Sequence, residues 1–368
     1  MKRSTKILRA VCMAVMCALL LSSVCVLPSL LSGSLPSGGQ DTPQYVAVDG
    51  ELLDVVDTSK NKYSYSEMSE DLALLAEKYK DKMSYSPVGK SLDGRNIYAV
   101  KLGNPNAERQ IIISAGIHGR EYLTPLLVMK QLEFYLYNYD TAKYGEHTLS
   151  EIFEKYTFCI LPMCNPDGVT LAQFGIDAIN SESLKSTIRS IYESDKAKEY
   201  TTDAFDKYLT YWKANARGVD LNRNFDTRDW KGINNMKQPS YINYKGPSPL
   251  SEPESKALTD FVNSLSSPAL SLAIHSQGEI IYFDCGEDFH TCLDLAKTVR
   301  ESCGYKIIYE TRKDSAFEDW CVIGKGIPSV TVETGKYSVK EPIPQDEFES
   351  IWKSCRDLPL HVAVKYME

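Results

Sequence analysis

Short apolar runs that stop abruptly constrain this chain most. Ile111-Ile112-Ile113-Ser114-Ala115 ends at Gly116, Phe158 to Leu161 ends at Pro162, and Ala269 to Ile274 and Ser329 to Val332 have the same character. Runs this short and this rich in β-branched residues suit strands buried on both faces. Between them lie stretches of helical spacing. Ser69 to Lys82 sets Leu72, Leu75, Ala76 and Tyr79 on one side, and a helix of about Leu123 to Tyr139 follows the first buried run. Asp346 to Met367 sets Phe348, Ile351, Trp352, Cys355 and Leu358 on one side, which predicts a terminal helix. Val88 to Leu102 reads as a hairpin turning at Ser91-Leu92-Asp93-Gly94. Strands alternating with helices predict an α/β fold: a single domain with a mixed, largely parallel central sheet flanked by helices. Thr170 to Trp212, long, mixed in charge and weakly periodic, reads as a surface excursion of the kind that borders sites.

The N-terminus follows other rules. Lys2, Arg3, Lys6 and Arg9 precede a stretch, Ala10 to Gln40, without a single charge. A basic start before an apolar run is a secretory signal or an uncleaved signal-anchor. The run is about long enough to span a membrane, whereas Ser32-Gly33-Ser34 supplies small residues for cleavage. The expected division is therefore a signal or anchor over 1–34, a Pro/Gly/Ser-rich linker over 35–60, and one folded domain over 61–368. The expected location is secreted or extracytoplasmic, with membrane contact only through an uncleaved N-terminal segment. Beyond that segment seven cysteines remain: Cys159, Cys164, Cys285, Cys292, Cys303, Cys321 and Cys355. An odd number leaves at least one thiol unpaired in a monomer, and no Cys-x-x-Cys spacing suggests a thiolate metal site. The formal net charge of −8 implies no broad basic surface and counts against nucleic acid as a partner.

Five histidines are present, and two follow buried runs. His118 comes just after Gly116, and His275 directly after Ile274. In open sheets the carboxyl ends of parallel strands share the edge where ligands bind. Glu121, three residues after His118, projects to the same side on a tight turn or first helical turn. His118, Glu121 and His275 would make a His₂Glu set with a position open for water, the pattern of catalytic zinc. Glu333, after Val332, is placed to take a proton from such a water. Asn222 and Arg223, adjacent in Gly218 to Phe225, can form a fork for a carboxylate. Taken singly, each has an ordinary alternative: a core histidine, an exposed strand-end Glu, a surface ion pair. Their shared position at strand ends is what argues for a site.

These residues resemble the zinc carboxypeptidases of the carboxypeptidase A type, from about Tyr63 to the C-terminal helix. The likeness is carried by Ser91-Leu92-Asp93-Gly94-Arg95, Gly116-Ile117-His118-Gly119-Arg120-Glu121, Asn165-Pro166-Asp167-Gly168, Asp220-Leu221-Asn222-Arg223-Asn224-Phe225, Ile274-His275-Ser276 and Thr331-Val332-Glu333. It implies a carboxypeptidase A-like fold of phosphorylase/hydrolase-like architecture and one Zn²⁺ per chain on His118, Glu121 and His275. It implies Glu333 as general base, with Asn222 and Arg223 holding the substrate's terminal carboxylate. Where the family carries an Arg that polarises the scissile carbonyl, Lys213 stands here, with Arg217 as rival. Tyr309 is the nearest candidate for the family's mobile active-site Tyr. Glu318 occupies a specificity position, where it favours a basic or amino-bearing side chain unless it is simply an exposed loop residue.

Trp212-Lys213-Ala214-Asn215-Ala216-Arg217-Gly218, His275 to Tyr282 and Glu333-Thr334-Gly335-Lys336 look like one bacterial branch. Members of that branch include peptidases that cut γ-D-glutamyl–diaminopimelate bonds. The resemblance thus implies a metallocarboxypeptidase that hydrolyses peptide bonds near a free substrate carboxylate. A cell-wall peptidase acting on muropeptides is the first alternative, and a silent peptide-binding member the second. A peptide or muropeptide partner and a monomeric state are expected.

Overall fold

Ser64 opens the first helix, α1 (Tyr65–Lys78). Its side chain accepts the Glu67 N–H while Glu67 Oε2 takes the Ser64 N–H, a capping box. The apolar stripe of Leu72 and Leu75 marks only the later turns, so periodicity alone placed the start too late. The computed structural model describes residues 54–367, except 61, 229, 233–234, 284–288, 310–313 and 339. The expected signal segment, the linker up to residue 53 and Cys285 lie outside the described residues. Part of the expected linker lies against the folded body: Val56 is fully buried, and the Val55 N–H donates to Glu133 Oε1 at 2.6 Å. No described helix is long and apolar enough to cross a membrane.

The order continues with β1 (Met83–Lys90), β2 (Asn96–Leu102), β3 (Arg109–Ala115), α2 (Leu123–Tyr137), β4 (Lys143–Tyr144), β5 (His147–Thr148), α3 (Leu149–Lys155), β6 (Tyr156–Leu161) and α4 (Pro166–Phe174). Then come α5 (Glu182–Ala197), α6 (Phe205–Thr210), α7 (Pro253–Asn263), β7 (Pro268–Ser276), β8 (Ile280–Tyr282), α8 (Phe289–Cys303), β9 (Lys306–Ile308), β10 (Ser329–Thr334), α9 (Phe348–Cys355) and α10 (Leu358–Lys365). Eight strands form one sheet in the order β1-β2-β6-β3-β7-β10-β8-β9. Its four central strands, β6, β3, β7 and β10, run parallel, and their carboxyl ends share one edge. The expected α/β fold with a mixed, largely parallel sheet is the one observed.

Both faces of the sheet are covered. Ile111 and Ile113 of β3 join one core cluster and Ile112 joins another, as alternation across a doubly buried strand requires. In β10, Val330 and Val332 enter the first cluster, which leaves Thr331 and Glu333 to the opposite face. His275 stands directly beside Glu333 in the β7–β10 ladder and shares that face.

Two expectations are revised. The excursion from Thr170 to Trp212 is more ordered than its weak periodicity suggests: after the end of α4 it forms α5 and α6 around a small core that includes Ile188, Ile191, Tyr192, Tyr208 and Trp212. The stretch read as one terminal helix is two, α9 and α10, with Pro359 in the first turn of the second. A proline tolerates a first turn but not a helix interior, so the chain breaks there. Cys159, Cys164, Cys292, Cys303, Cys321 and Cys355 are buried free thiols.

Candidate metal centre and adjoining cleft

The chain leaves β3 at Ala115 and turns on Gly116, whose φ of +63° suits glycine. The next turn closes with the Glu121 N–H on the His118 carbonyl at 3.1 Å, which swings both side chains to one side. A Cβ on Gly119 would meet the Gly168 carbonyl oxygen at 2.4 Å, so only glycine lets this turn sit against the start of α4. His118 Nδ1 lies 2.9 Å from Glu121 Oε1, and His275 Nδ1 lies 3.1 Å from Glu121 Oε2. One ligand atom from each of the three residues falls within 4.8 Å of the others, and all three residues are buried. The sequence thus named three residues from distant segments that the fold gathers at one point.

The charges fit a cation. Burial disfavours the Glu121 carboxylate, yet His118 and Lys213 hold it well below the usual range. Burial also works against a charged His275, but the hydrogen bond and charge of Glu121 prevail and lift it to about 9. Buried Glu121 therefore gathers three nitrogen partners, the third being Lys213 Nζ at 3.0 Å. On the far side of the His118 ring, Nε2 lies 3.2 Å from Asp220 Oδ1, and Asp220 Oδ2 accepts the Asn243 N–H at 2.9 Å. A carboxylate on that nitrogen sets the tautomer that frees Nδ1 as a metal ligand. Two imidazoles and one carboxylate, with the rear of one ring fixed in this way, suit Zn²⁺. Asp220→Asn should weaken zinc binding about 10- to 100-fold, measured by competition with a chromogenic chelator.

Glu333 stands half-buried beside this set, and among the described residues its buried Oε2 has no hydrogen-bond partner. Burial raises its carboxyl, and the charge of Glu121 adds to the rise. The same cleft is lined by Lys213, Asn222, Arg223, Asp314 and Glu318. Asn222 sits in a short helical turn, Leu221–Arg223, where its Oδ1 accepts the Phe317 N–H at 3.0 Å. Arg223 donates Nε to Asn243 Oδ1 at 3.0 Å and one terminal nitrogen to Asp314 Oδ1 at 2.9 Å. Among the described residues its other terminal nitrogen has no partner. Glu318 Oε1 accepts from Asn222 Nδ2 at 3.2 Å and from Thr331 Oγ1 at 2.8 Å. Its Oε2 is buried without a partner among the described residues.

Two candidates stand apart from the metal set. Tyr309 is 66% exposed and does not itself line the cleft, but its ring packs against Phe283, which does. Arg217 turns away and grips Glu252 with Nε and one terminal nitrogen. Of the two cations weighed against each other, only Lys213 reaches the cleft. Sequence reasoning passed over Asp220 and Asp314, although Asp220 sits inside the Asp220-Leu221-Asn222-Arg223 stretch and could have been read there. It also gave no role to Asn165 and Asp167. Asn165 Nδ2 ties the carbonyls of Ile117 and Ala214, and so joins the His118 turn to the Lys213 loop. Asp167 anchors the Ser91–Arg95 turn through Ser91 Oγ and Arg95.

Residues 68–343 match the model of a family described as zinc carboxypeptidase. The chain is 30% identical over 302 residues to gamma-D-glutamyl-L-diamino acid endopeptidase 1 of Lysinibacillus sphaericus, which covers 80% of this chain and 71% of that one. It is 26% identical over 243 residues to mast cell carboxypeptidase A of Homo sapiens, covering 64% of this chain and 51% of that one. Among solved structures, thrombin activatable fibrinolysis inhibitor shares the fold with a TM-score of 0.66 at 19% identity, covering 84% of this chain and 76% of that one.

Proposed function

We propose that this chain, which belongs to the zinc carboxypeptidase family and is a zinc-dependent hydrolase, cuts the amide bond that precedes a diamino acid bearing a free carboxylate. The observation that carries the substrate reading is a pairing of opposite charges at one end of the cleft. The unpartnered nitrogen of Arg223 suits a carboxylate, and the unpartnered, buried Oε2 of Glu318 suits an ammonium. An uncharged or acidic side chain would leave that buried oxygen without a partner, which costs more than an imperfect contact. The relative from Lysinibacillus sphaericus is named for cleavage next to an L-diamino acid, which supports the same reading.

His118, Glu121 and His275 would hold the zinc ion. Bound there, zinc supplies Lewis acidity that acidifies a water and polarises the scissile carbonyl. Glu333 Oε2 takes the proton from the attacking water and passes it to the departing nitrogen. Lys213 meets the negative charge that builds on the carbonyl oxygen. Arg223 and Asn222 hold the carboxylate, which fixes the distance from the chain end to the bond that breaks. Exported cell-wall peptides are the source of substrate that the N-terminal segment suggests.

The test is product analysis by mass spectrometry with two substrates: a γ-D-glutamyl–diaminopimelate peptide and a library of ordinary peptides with free carboxyl ends. The expected result is release of the diamino acid from the first, with the second cut slowly or only before lysine. Glu318→Gln should lower kcat/KM for the diamino acid substrate about 10- to 100-fold, the usual worth of one buried charged hydrogen bond, and leave neutral end residues nearly unaffected. Equal turnover of neutral and diamino ends by the wild type would overturn the substrate reading.

A further inference from the structure

Outside the cleft, two carboxylates lie fully buried where α7 begins, Glu252 and Glu254. A third, Asp167, is fully buried where α4 begins. The Leu92 N–H donates to Glu254 Oε1 at 3.4 Å and the next amide, Asp93 N–H, to Asp167 Oδ2 at 2.8 Å, so one turn touches both acids. The Asp93 side chain is itself 1% exposed. Among the described residues the ion pairs of this group use two guanidiniums. Arg95 serves Asp93 and Asp167 at 2.7 and 2.8 Å, and Arg217 serves Glu252 at 2.9 Å. Among the described residues Glu254 has no cation of its own. Buried acids that outnumber their cations cannot all ionise cheaply, and the one without a cation keeps its proton longest.

Asn215, fully buried, connects this group to the cleft. Its Nδ2 donates to Glu252 Oε2 at 2.7 Å and to Glu254 Oε2 at 3.3 Å. Its Oδ1 accepts the N–H groups of Arg217 and Val219 at 3.0 and 3.1 Å. The Trp212 indole N–H donates to its carbonyl at 3.1 Å. One amide therefore shapes the loop that carries Lys213 at one end and the Asp220–Arg223 turn at the other.

We propose that Asn215 is a positioning residue for Lys213 and for the Asp220–Arg223 turn, and that the charge on the Glu252–Glu254 pair sets how firmly it holds them. The groups that face Glu254 are Glu252 on its own helix, Asp93 and Arg95 on the hairpin turn, Asp167 at α4, and Asn215 with Arg217 on the loop. Burial pushes the Glu254 carboxyl up to about 8, and the charges of Asp167 and Glu252 add to the rise. As that proton leaves, two like charges share the single amide of Asn215 and the loop loosens. The sign for stability follows. An acid whose folded pKa lies above its unfolded value stabilises at low pH, and that stabilisation is lost as pH rises toward about 8.

The kinetic arm of the test rests on the function proposed above; the other arms do not. In wild-type, zinc-loaded protein, kcat should fall about tenfold between pH 7 and 9, as one group with a midpoint near 8 requires, with KM moving less. Glu254→Gln should hold kcat within about twofold across that range and keep the zinc content and the neutral-pH rate. The fall of Tm with rising pH should be shallower in Glu254→Gln than in wild type. Infrared spectra of wild-type protein should show a protonated carboxyl band that disappears with the same midpoint. An alkaline fall of kcat unchanged in folded Glu254→Gln would overturn the proposal. Should that variant not fold, absence of a titrating carboxyl band in the wild type would overturn it instead. Loss of activity on every substrate with the band and the Tm difference intact would reject the proposed reaction and leave the positioning cluster standing.

Discussion

Glu333→Gln should bind zinc as the wild type does and turn over about 10²- to 10⁴-fold more slowly, the usual contribution of a positioned proton carrier. The substitution keeps the size of the side chain and its place in the β7–β10 ladder, where Glu333 pairs in register with His275. It removes only the capacity of Oε2 to accept a proton, and that atom has no protein partner to satisfy. Zinc content by atomic absorption and kcat at neutral pH check the two halves together. Turnover within tenfold of wild type, at full zinc occupancy, would remove Glu333 from the chemistry.

The second large effect is selective. Arg223→Ala should cost substrates with a free end carboxylate about 2–5 kcal/mol in kcat/KM, roughly 30- to 5,000-fold. Substrates with an amidated end should change by less than tenfold, because they never used the guanidinium charge. In the folded chain Arg223 is held by Asn243 and Asp314, which aim it before any substrate arrives. Removing it also frees Asp314, whose unopposed charge would then repel a carboxylate. Equal losses on both substrates would show that Arg223 supports the loop instead of reading the chain end.

Much of the sheet was legible because its central strands are buried on both faces. Ile111 to Ala115 and Ser329 to Val332 are short, uncharged runs rich in β-branched residues, and a run of that kind has few other uses. The metal set was legible for a related reason: His275 follows such a run directly and His118 follows one after two residues, and parallel strands deliver their ends to one edge. Helix limits were less legible. Ser64 starts α1 by a local hydrogen bond to Glu67 that periodicity does not register. The helices of the α5–α6 excursion were faint because the segment buries only one stripe, built partly from Tyr192, Tyr208 and Trp212 against residues it meets late in the chain.

Supporting polar groups were the least legible. Asp220, Asp314 and Asn215 act through partners between two and about a hundred positions away, and no local spacing announces them. Lys213 and Arg217 were equivalent candidates by composition and are separated only by buried Glu252, which claims Arg217. Order along the chain is the sole sequence signal for Tyr309, and its exposed ring meets the cleft only through Phe283, which lines it.

The side-by-side seating of His275 and Glu333 sets a length that loops do not control. Neighbouring strands sit about 4.8 Å apart by the geometry of the peptide ladder itself. Thermal breathing of the cleft walls therefore carries proton carrier and ligand together, with their separation held by backbone. Sequence drift in the rim can change what enters the cleft while the reacting distance stays the same.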